Sequence, residues 1–147
     1  MKRLSWKYIA GLIDGEGCLD VQITSGIYVR PRVRVALADN CKMLLQMLHE
    51  NHGGSLIARP STNQNWQSST SWELCGYTLV CPFLRNFANH MYIKHEQAKF
   101  LLALEGMLKG KQVADKARQF VLDELKAMKR DPHRLSERAQ ERLMSLL

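Results

Sequence analysis

Residues Tyr8–Gly17 (Tyr-Ile-Ala-Gly-Leu-Ile-Asp-Gly-Glu-Gly) constrain this chain more than any other stretch. An apolar helical run closes on an acid, a glycine, a second acid and a second glycine. Ala10 and Gly11 stand where helices ordinarily carry bulk, so another backbone can approach closely. Gly15 and Gly17 supply backbone freedom at the helix exit, and Glu16 is expected just beyond the helix end rather than on its side. The plainer reading of the same residues is a helix, a tight turn and two solvated acids.

Around this segment the chain alternates between two periods. Ser5 suits the N-cap of a first helix over Trp6–Asp14. Leu19, Val21 and Ile23 then alternate with Asp20, Gln22 and Thr24, the pattern of a half-buried strand. Ser25-Gly26 turns the chain into a second strand, Tyr28–Leu37, with Pro31, Val33, Val35 and Leu37 on one side and Arg30, Arg32, Arg34 and Ala36 on the other. Asp39 or Asn40 is expected to cap a second helix carrying Met43, Leu44, Met47 and Leu48, ended by Gly53-Gly54. A third strand at Ser55–Arg59, a polar loop at Pro60–Asn65 and a fourth strand at Gln67–Gly76 follow. In the fourth strand Trp72 and Leu74 point inward, and Ser69, Ser71, Glu73 and Cys75 outward. A short helix is expected around Pro82–Asn89, and a long one over His95–Leu108, where Phe100, Leu101, Leu104 and Leu108 keep helical spacing. Helices over Ala114–Arg130 and Ser136–Leu147 close the chain, and the connectors are too short to divide residues 1–147 into more than one domain.

Ile9–Gly17 follows, with conservative swaps, the motif of the LAGLIDADG homing endonucleases, and the element order over residues 5–108 resembles that family's core. The resemblance implies an α+β fold: an αββαββα core with a saddle-shaped antiparallel four-stranded sheet, plus extra C-terminal helices. The motif occurs once. In that family a single copy implies a homodimer whose motif helices pack together, with Ala10, Gly11 and Asp14 at the interface. Asp14 is expected to cap or hydrogen-bond the facing helix rather than bind metal. The resemblance further implies that Glu16 and the Gly15 carbonyl hold a divalent metal, Mg²⁺ first, with Mn²⁺ or Ca²⁺ able to occupy the same sites. Mg²⁺ suits such hard oxygen ligands and supplies an activated water and charge neutralisation at phosphate. Lys94, Gln97 and Ala98 match the family's Lys-x-x-Gln-Ala segment. By resemblance Lys94 lies at the scissile phosphate, polarising water or offsetting charge, while Gln97 orients water or simply packs. One departure is the stretch Leu37-Ala38-Asp39-Asn40, which lacks a glutamine that some relatives place in the solvent network around the metals. Asp39 or Asn40 either substitutes for it or caps a helix.

Charge points to the partner. With Lys+Arg at 21 against Asp+Glu at 14, the net +7 favours nucleic acid first and an acidic membrane second. No apolar run reaches the roughly 18 residues that span a bilayer, so no membrane partner is expected. Met1–Trp6 leads straight into the first helix, leaving no room for a signal peptide, which implies an intracellular protein of organelle, prokaryote or phage-infected host. Cys18, Cys41, Cys75 and Cys81 form no Cys-x-x-Cys pair and read as buried free thiols in a reducing compartment. His49 and His52 lack the companions of a metal site.

Arg30, Arg32 and Arg34 project from one strand face about 7 Å apart, close to the rise of two base pairs. A two-stranded ribbon fits the major groove, and arginine suits guanine or phosphate. Asp20, Gln22 and Thr24 share this face, and Arg59, Gln67, Ser69, Ser71 and Glu73 extend it. Three alternating arginines repel one another unless an anion lies opposite, which favours double-stranded DNA over an ordinary solvent face. Tyr28 and Trp66, near strand or loop tips, contact DNA or pack. Most charges of the C-terminal helices form a solvated surface, with a minority reaching flanking phosphates. The expected activity is metal-dependent double-strand cleavage at a long pseudo-palindromic site by a homodimer. The alternatives are a maturase that binds host intron RNA and a catalytically inactive DNA-binding module.

Overall fold

The computed structural model describes residues 3–63 and 67–147. Helix α1 (Trp6–Glu16) starts at Ser5, whose hydroxyl accepts the Tyr8 N–H at 3.1 Å. It turns Ile9, Ala10, Ile13 and Asp14 inward. The helix continues past the expected end at Asp14, so Glu16 is its last residue. Gly17 is extended rather than left-handed; it is needed because a Cβ there would lie 2.7 Å from the Ile13 carbonyl oxygen.

Strands β1 (Gly17–Thr24), β2 (Tyr28–Ala38), β3 (Ser55–Arg59) and β4 (Ser69–Cys75) form one antiparallel sheet in the order β1-β2-β4-β3. Its alternation buries Leu19, Val21, Val33, Val35, Trp72 and Leu74 on one face, beneath the helices. The other face carries the polar set, with Asp20 opposite Arg32, Gln22 opposite Arg30 and Arg34 opposite Glu73.

Helix α2 (Lys42–His52) differs in phase from expectation. A 3-10 turn takes up Asp39–Cys41, so neither Asp39 nor Asn40 caps the helix. Asp39 instead accepts the Thr70 hydroxyl at 2.9 Å and ties the end of β2 to β4. Leu45 and Leu48 are buried, Leu44 and Met47 half-buried, and Met43 is exposed. Helix α3 (Tyr77–Arg85) begins at Tyr77, not at Pro82, and carries the proline inside it. Tyr77, Val80, Cys81 and Leu84 form its buried stripe, a helical period that the proline hides in the sequence. Gly76, at φ +95°, makes the passage from β4 into α3. The Tyr77 hydroxyl donates to the Val29 carbonyl at 2.6 Å, and burial pushes its pKa up.

Helices α4 (His95–Leu108), α5 (Asp115–Arg130) and α6 (Ser136–Met144) complete the chain. Phe100, Leu101, Leu104 and Leu108 are buried as their spacing predicts. Glu96 accepts the Ser136 N–H at 3.0 Å, so the start of α6 is capped from α4. Buried Glu124 receives the Arg134 guanidinium through contacts of 2.6 and 3.0 Å, fixing the α5–α6 turn. All four cysteines are free, yet only Cys81 is buried, and Cys41 is exposed. Among the described residues no helix is long and apolar enough to cross a membrane.

Candidate functional site

The site begins with an electrostatic misfit at the end of α1. Asp14, Gly15 and Glu16 are the last three helical residues, whose carbonyls have no amide four residues on within the helix. That end carries partial negative charge, which disfavours carboxylates and favours cations. The last turn holds no basic residue.

Asp14 is compensated from far away in the chain. Its carboxylate accepts backbone N–H groups from Tyr92 at 2.9 Å, Ile93 at 3.0 Å and Lys94 at 2.8 Å. Burial pushes its pKa up, but these amides and the Lys94 ammonium outweigh it, holding the carboxyl below its ordinary value. Lys94 Nζ in turn donates to the Asp14 carbonyl oxygen at 2.5 Å. The lysine, ill placed at the start of α4, is thereby satisfied at the negative end of α1. Asp14 thus spends its carboxylate on its own chain rather than on a facing copy.

Glu16 has no such relief. It is exposed, and no hydrogen bond or ion pair engages it among the described residues. An unpaired acid at a helix C-terminus breaks a local rule without local gain, the kind of exception found at functional sites. It borders a depression of about 240 Å³ lined also by Cys18, Arg34, Ala36, Arg59 and Ser71. One carboxylate therefore shares this depression with guanidinium groups from β2 and β3, a combination suited to a cation and a phosphate together.

The donor set fits a hard divalent ion in part. Glu16 and the free carbonyls of the last turn, Gly15 among them, are oxygen ligands of the Mg²⁺ type. Among the described residues there is no cluster of three His, Cys, Asp or Glu side chains able to hold a metal. The remaining ligands would come from water, phosphate or a second copy of the chain.

The polar face is more tightly wired than its sequence suggests. Arg32 and Arg34 do face an anion, and it is Asp20: Arg32 binds it at 3.0 Å and Arg34 at 2.7 Å. The repulsion expected among the arginines is thus relieved within the chain. Gln22 accepts a hydrogen bond from Cys75 Sγ at 3.1 Å, and Arg59 lies 4.0 Å from Glu73. Arg30 is exposed and its guanidinium lies over Gly76, where a Cβ would come within 2.6 Å of it. Thr24 and Ser69 are half-buried at strand ends.

Several expected positions move. Ala10 is 1% exposed and belongs to the core of its own chain. Gly11 and Gly15, by contrast, lie on the open side of α1, where no described residue beyond their own helix comes within 4 Å of the place a Cβ would take. Gln97 is 3% exposed, which withdraws its side chain from direct contact with DNA, and its Oε1 meets no hydrogen-bond partner among the described residues. Ser71 is 2% exposed, in the lining of the depression rather than on a protruding face. Gln67 is exposed but precedes β4, which starts at Ser69. Trp66 lies outside the described residues.

Two placements are decided only by the fold, the first among the C-terminal basic residues of which a minority is expected to reach phosphates. Lys129, near the end of α5, brings Nζ within 3.1 Å of Cys18 Sγ and so lies beside the polar face. Tyr92 is 90% exposed and Ile93 is exposed too, although their amides are committed to Asp14. The adjacent apolar pair just before Lys94 was the available signal for the second.

The fold is that of the LAGLIDADG homing endonucleases. The chain is similar to the homing endonuclease I-CvuI, solved on the I-CreI target with 2 mM Mg and the DNA not cleaved, with 21% identity, 96% of this chain and 93% of that chain covered, and a TM-score of 0.67. It is also similar to the archaeal intron-encoded homing endonuclease I-Vdi141I complexed with DNA, with 16% identity, 96% and 95% coverage, and a TM-score of 0.64. Against the LAGLIDADG homing endonuclease I-SmaMI bound to cleaved DNA, 99% of this chain covers 49% of that chain, with 18% identity and a TM-score of 0.54. Neither a protein-family model nor a curated protein sequence matches the chain.

Proposed function

We propose that this chain is a sequence-specific homing endonuclease that makes metal-dependent double-strand breaks as a homodimer. The observation that carries the reading is Glu16, an exposed carboxylate at the end of α1 with no partner among the described residues, set in a depression with Arg34 and Arg59. The DNA-bound state of the fold neighbours supports the substrate class.

A divalent ion, when bound, supplies an activated water and neutralises charge on the phosphate. Glu16 and the Gly15 carbonyl would hold it at the negative end of α1. Arg59 binds the phosphate oxygens in the same depression. Lys94, fixed at the Asp14 carbonyl, keeps an ammonium beside the helix end that offsets charge developing at the reacting phosphate. The polar sheet face, with Arg30, Arg32, Arg34 and Gln22, lies along the major groove.

One carboxylate per chain leaves the metal site incomplete, which favours two copies. Gly11 and Gly15 present an open small-residue stripe on α1, flanked by exposed Tyr8. A whole copy of this chain spans only half of I-SmaMI, leaving length there for a second unit.

Cleavage of a randomised plasmid library with Mg²⁺, comparing the native chain with Glu16→Gln, tests the reading. Native cuts should share a pseudo-palindromic site and fall by about 10²-fold or more in the variant or with a chelator. A folded native dimer that retains duplex but never cuts points to a binding module. Retention of structured RNA instead points to a maturase.

A further inference from the structure

The polar sheet face carries its own counter-ion, and the geometry of that counter-ion is specific. Asp20 stands opposite Arg32 across the β1–β2 pair. Arg32 binds it side-on, Nε to Oδ1 at 3.0 Å and Nη2 to Oδ2 at 3.0 Å. Arg34 Nη2 reaches the same Oδ2 diagonally at 2.7 Å. A single carboxylate therefore fixes two guanidinium groups. Both of its oxygens are engaged and its side chain is 15% exposed, so Asp20 itself is poorly placed to meet a base.

A guanidinium offers two bidentate edges. The contact with Asp20 uses the side-on edge of Arg32 and leaves its end-on edge for the N7 and O6 of a guanine. The Nε of Arg34 is buried and meets no hydrogen-bond partner among the described residues, and its Nη2 donates to Asp20 Oδ2 and Cys18 Sγ, so Arg34 keeps Nη1, on its end-on side, for an outward contact. An arginine without such a tether swings readily to the nearest phosphate, which adds affinity but no sequence information. Arg30, with no ion pair among the described residues, is the untethered comparison on the same strand.

We propose that Asp20 is a positioning residue that sets sequence specificity, holding Arg32 and Arg34 end-on toward two nearby guanines and away from the phosphates. The proposal rests on the DNA-binding reading above. Neutralising Asp20 adds one positive charge per chain and releases two arms, so binding to arbitrary duplex strengthens while discrimination weakens.

The test selects bound sequences from a randomised duplex library with chelator present, so that nothing is cut. It also measures the salt dependence of binding to a random-sequence duplex, for the native chain, Asp20→Asn and Arg32→Gln. The native chain should enrich guanine at two nearby positions, one of which Arg32→Gln erases. Asp20→Asn should flatten both preferences by about tenfold or more, and bind random duplex more tightly with a log–log salt slope steeper by about one to two. A merely structural role would lower specific and random affinity together and leave the slope unchanged, and that outcome overturns the proposal. Intact preferences in Asp20→Asn overturn it as well. Should that variant fail to fold, Asp20→Glu, with the charge displaced by one methylene, must change both preferences, and unchanged preferences overturn the proposal. A native chain that retains duplex but selects no such guanines sinks this proposal alone; one that retains no duplex sinks the DNA reading with it.

Discussion

Asp14 and Glu16 are two acids two residues apart with opposite fates, and the difference is one of partners. Asp14 caps the start of α4 through three backbone amides, while Glu16 at the same helix end has no partner among the described residues. Removing the Asp14 charge exposes three amides to an inferior acceptor. Asp14→Asn should therefore lose about 1–3 kcal/mol of stability in urea unfolding. The pH dependence has a definite sign. Because the native carboxyl is held below its ordinary value of 3.8, its contribution is complete above that pH and fades as pH falls through the lower native value. The native chain should lose stability on acidification below pH 3.8 more steeply than Asp14→Asn. Equal acid-side slopes would refute the clamp. Glu16, carrying no folding role of this kind, should be replaceable by glutamine with stability unchanged or raised.

Among the elements, the β4–α3 junction couples fold to recognition. Gly76 sits at φ +95°, ψ 153°, a region that essentially only glycine occupies, and the guanidinium of Arg30 fills the space a Cβ would take. Gly76→Ala should cost about 1–3 kcal/mol through backbone strain. The clash itself is inexpensive, because Arg30 is long and its tip can move; the visible consequence is a displaced Arg30. Denaturant midpoints should fall, and the duplex affinity contributed by Arg30 should weaken beyond any loss of folded protein. A midpoint unchanged from native would mean that the turn tolerates a side chain. Helix α3 also illustrates why one element escaped the sequence. Its stripe of Tyr77, Val80, Cys81 and Leu84 is regular, but Pro82 inside it looks like a helix start. Packing against the sheet and the aromatic cluster of Trp6, Phe83 and Phe87 outweighs the lost backbone bond.

For the whole molecule, self-association and folding should respond oppositely at Gly11. The glycine costs helix stability, yet beyond its chain neighbours and its own helix backbone no described residue lies within 4 Å of a Cβ placed there. Gly11→Leu should raise the stability of the isolated chain by about 0.5–1 kcal/mol and, with α1 at the interface of the proposed homodimer, move the sedimenting species from dimer to monomer and abolish the proposed cleavage. A dimer of undiminished affinity would remove α1 from the interface. What was readable without coordinates was whatever a local period encodes: α1, the β1–β2 hairpin with its arginine stripe, α4, and the alternation that separates a buried sheet face from a polar one. These follow from the chain's own geometry, since side chains two apart in a strand or three to four apart in a helix must share a face. Tertiary structure alone decided how the polar groups are spent. Asp14 meets partners 78 and 80 residues away, Asp20 neutralises the arginines it was expected to stand beside, and Gln97, Ser71 and Ala10 are enclosed. Nothing in local periodicity distinguishes a carboxylate that will find an amide or a guanidinium from one that will not, because the free energy of each depends on what the fold brings within about 3 Å of it.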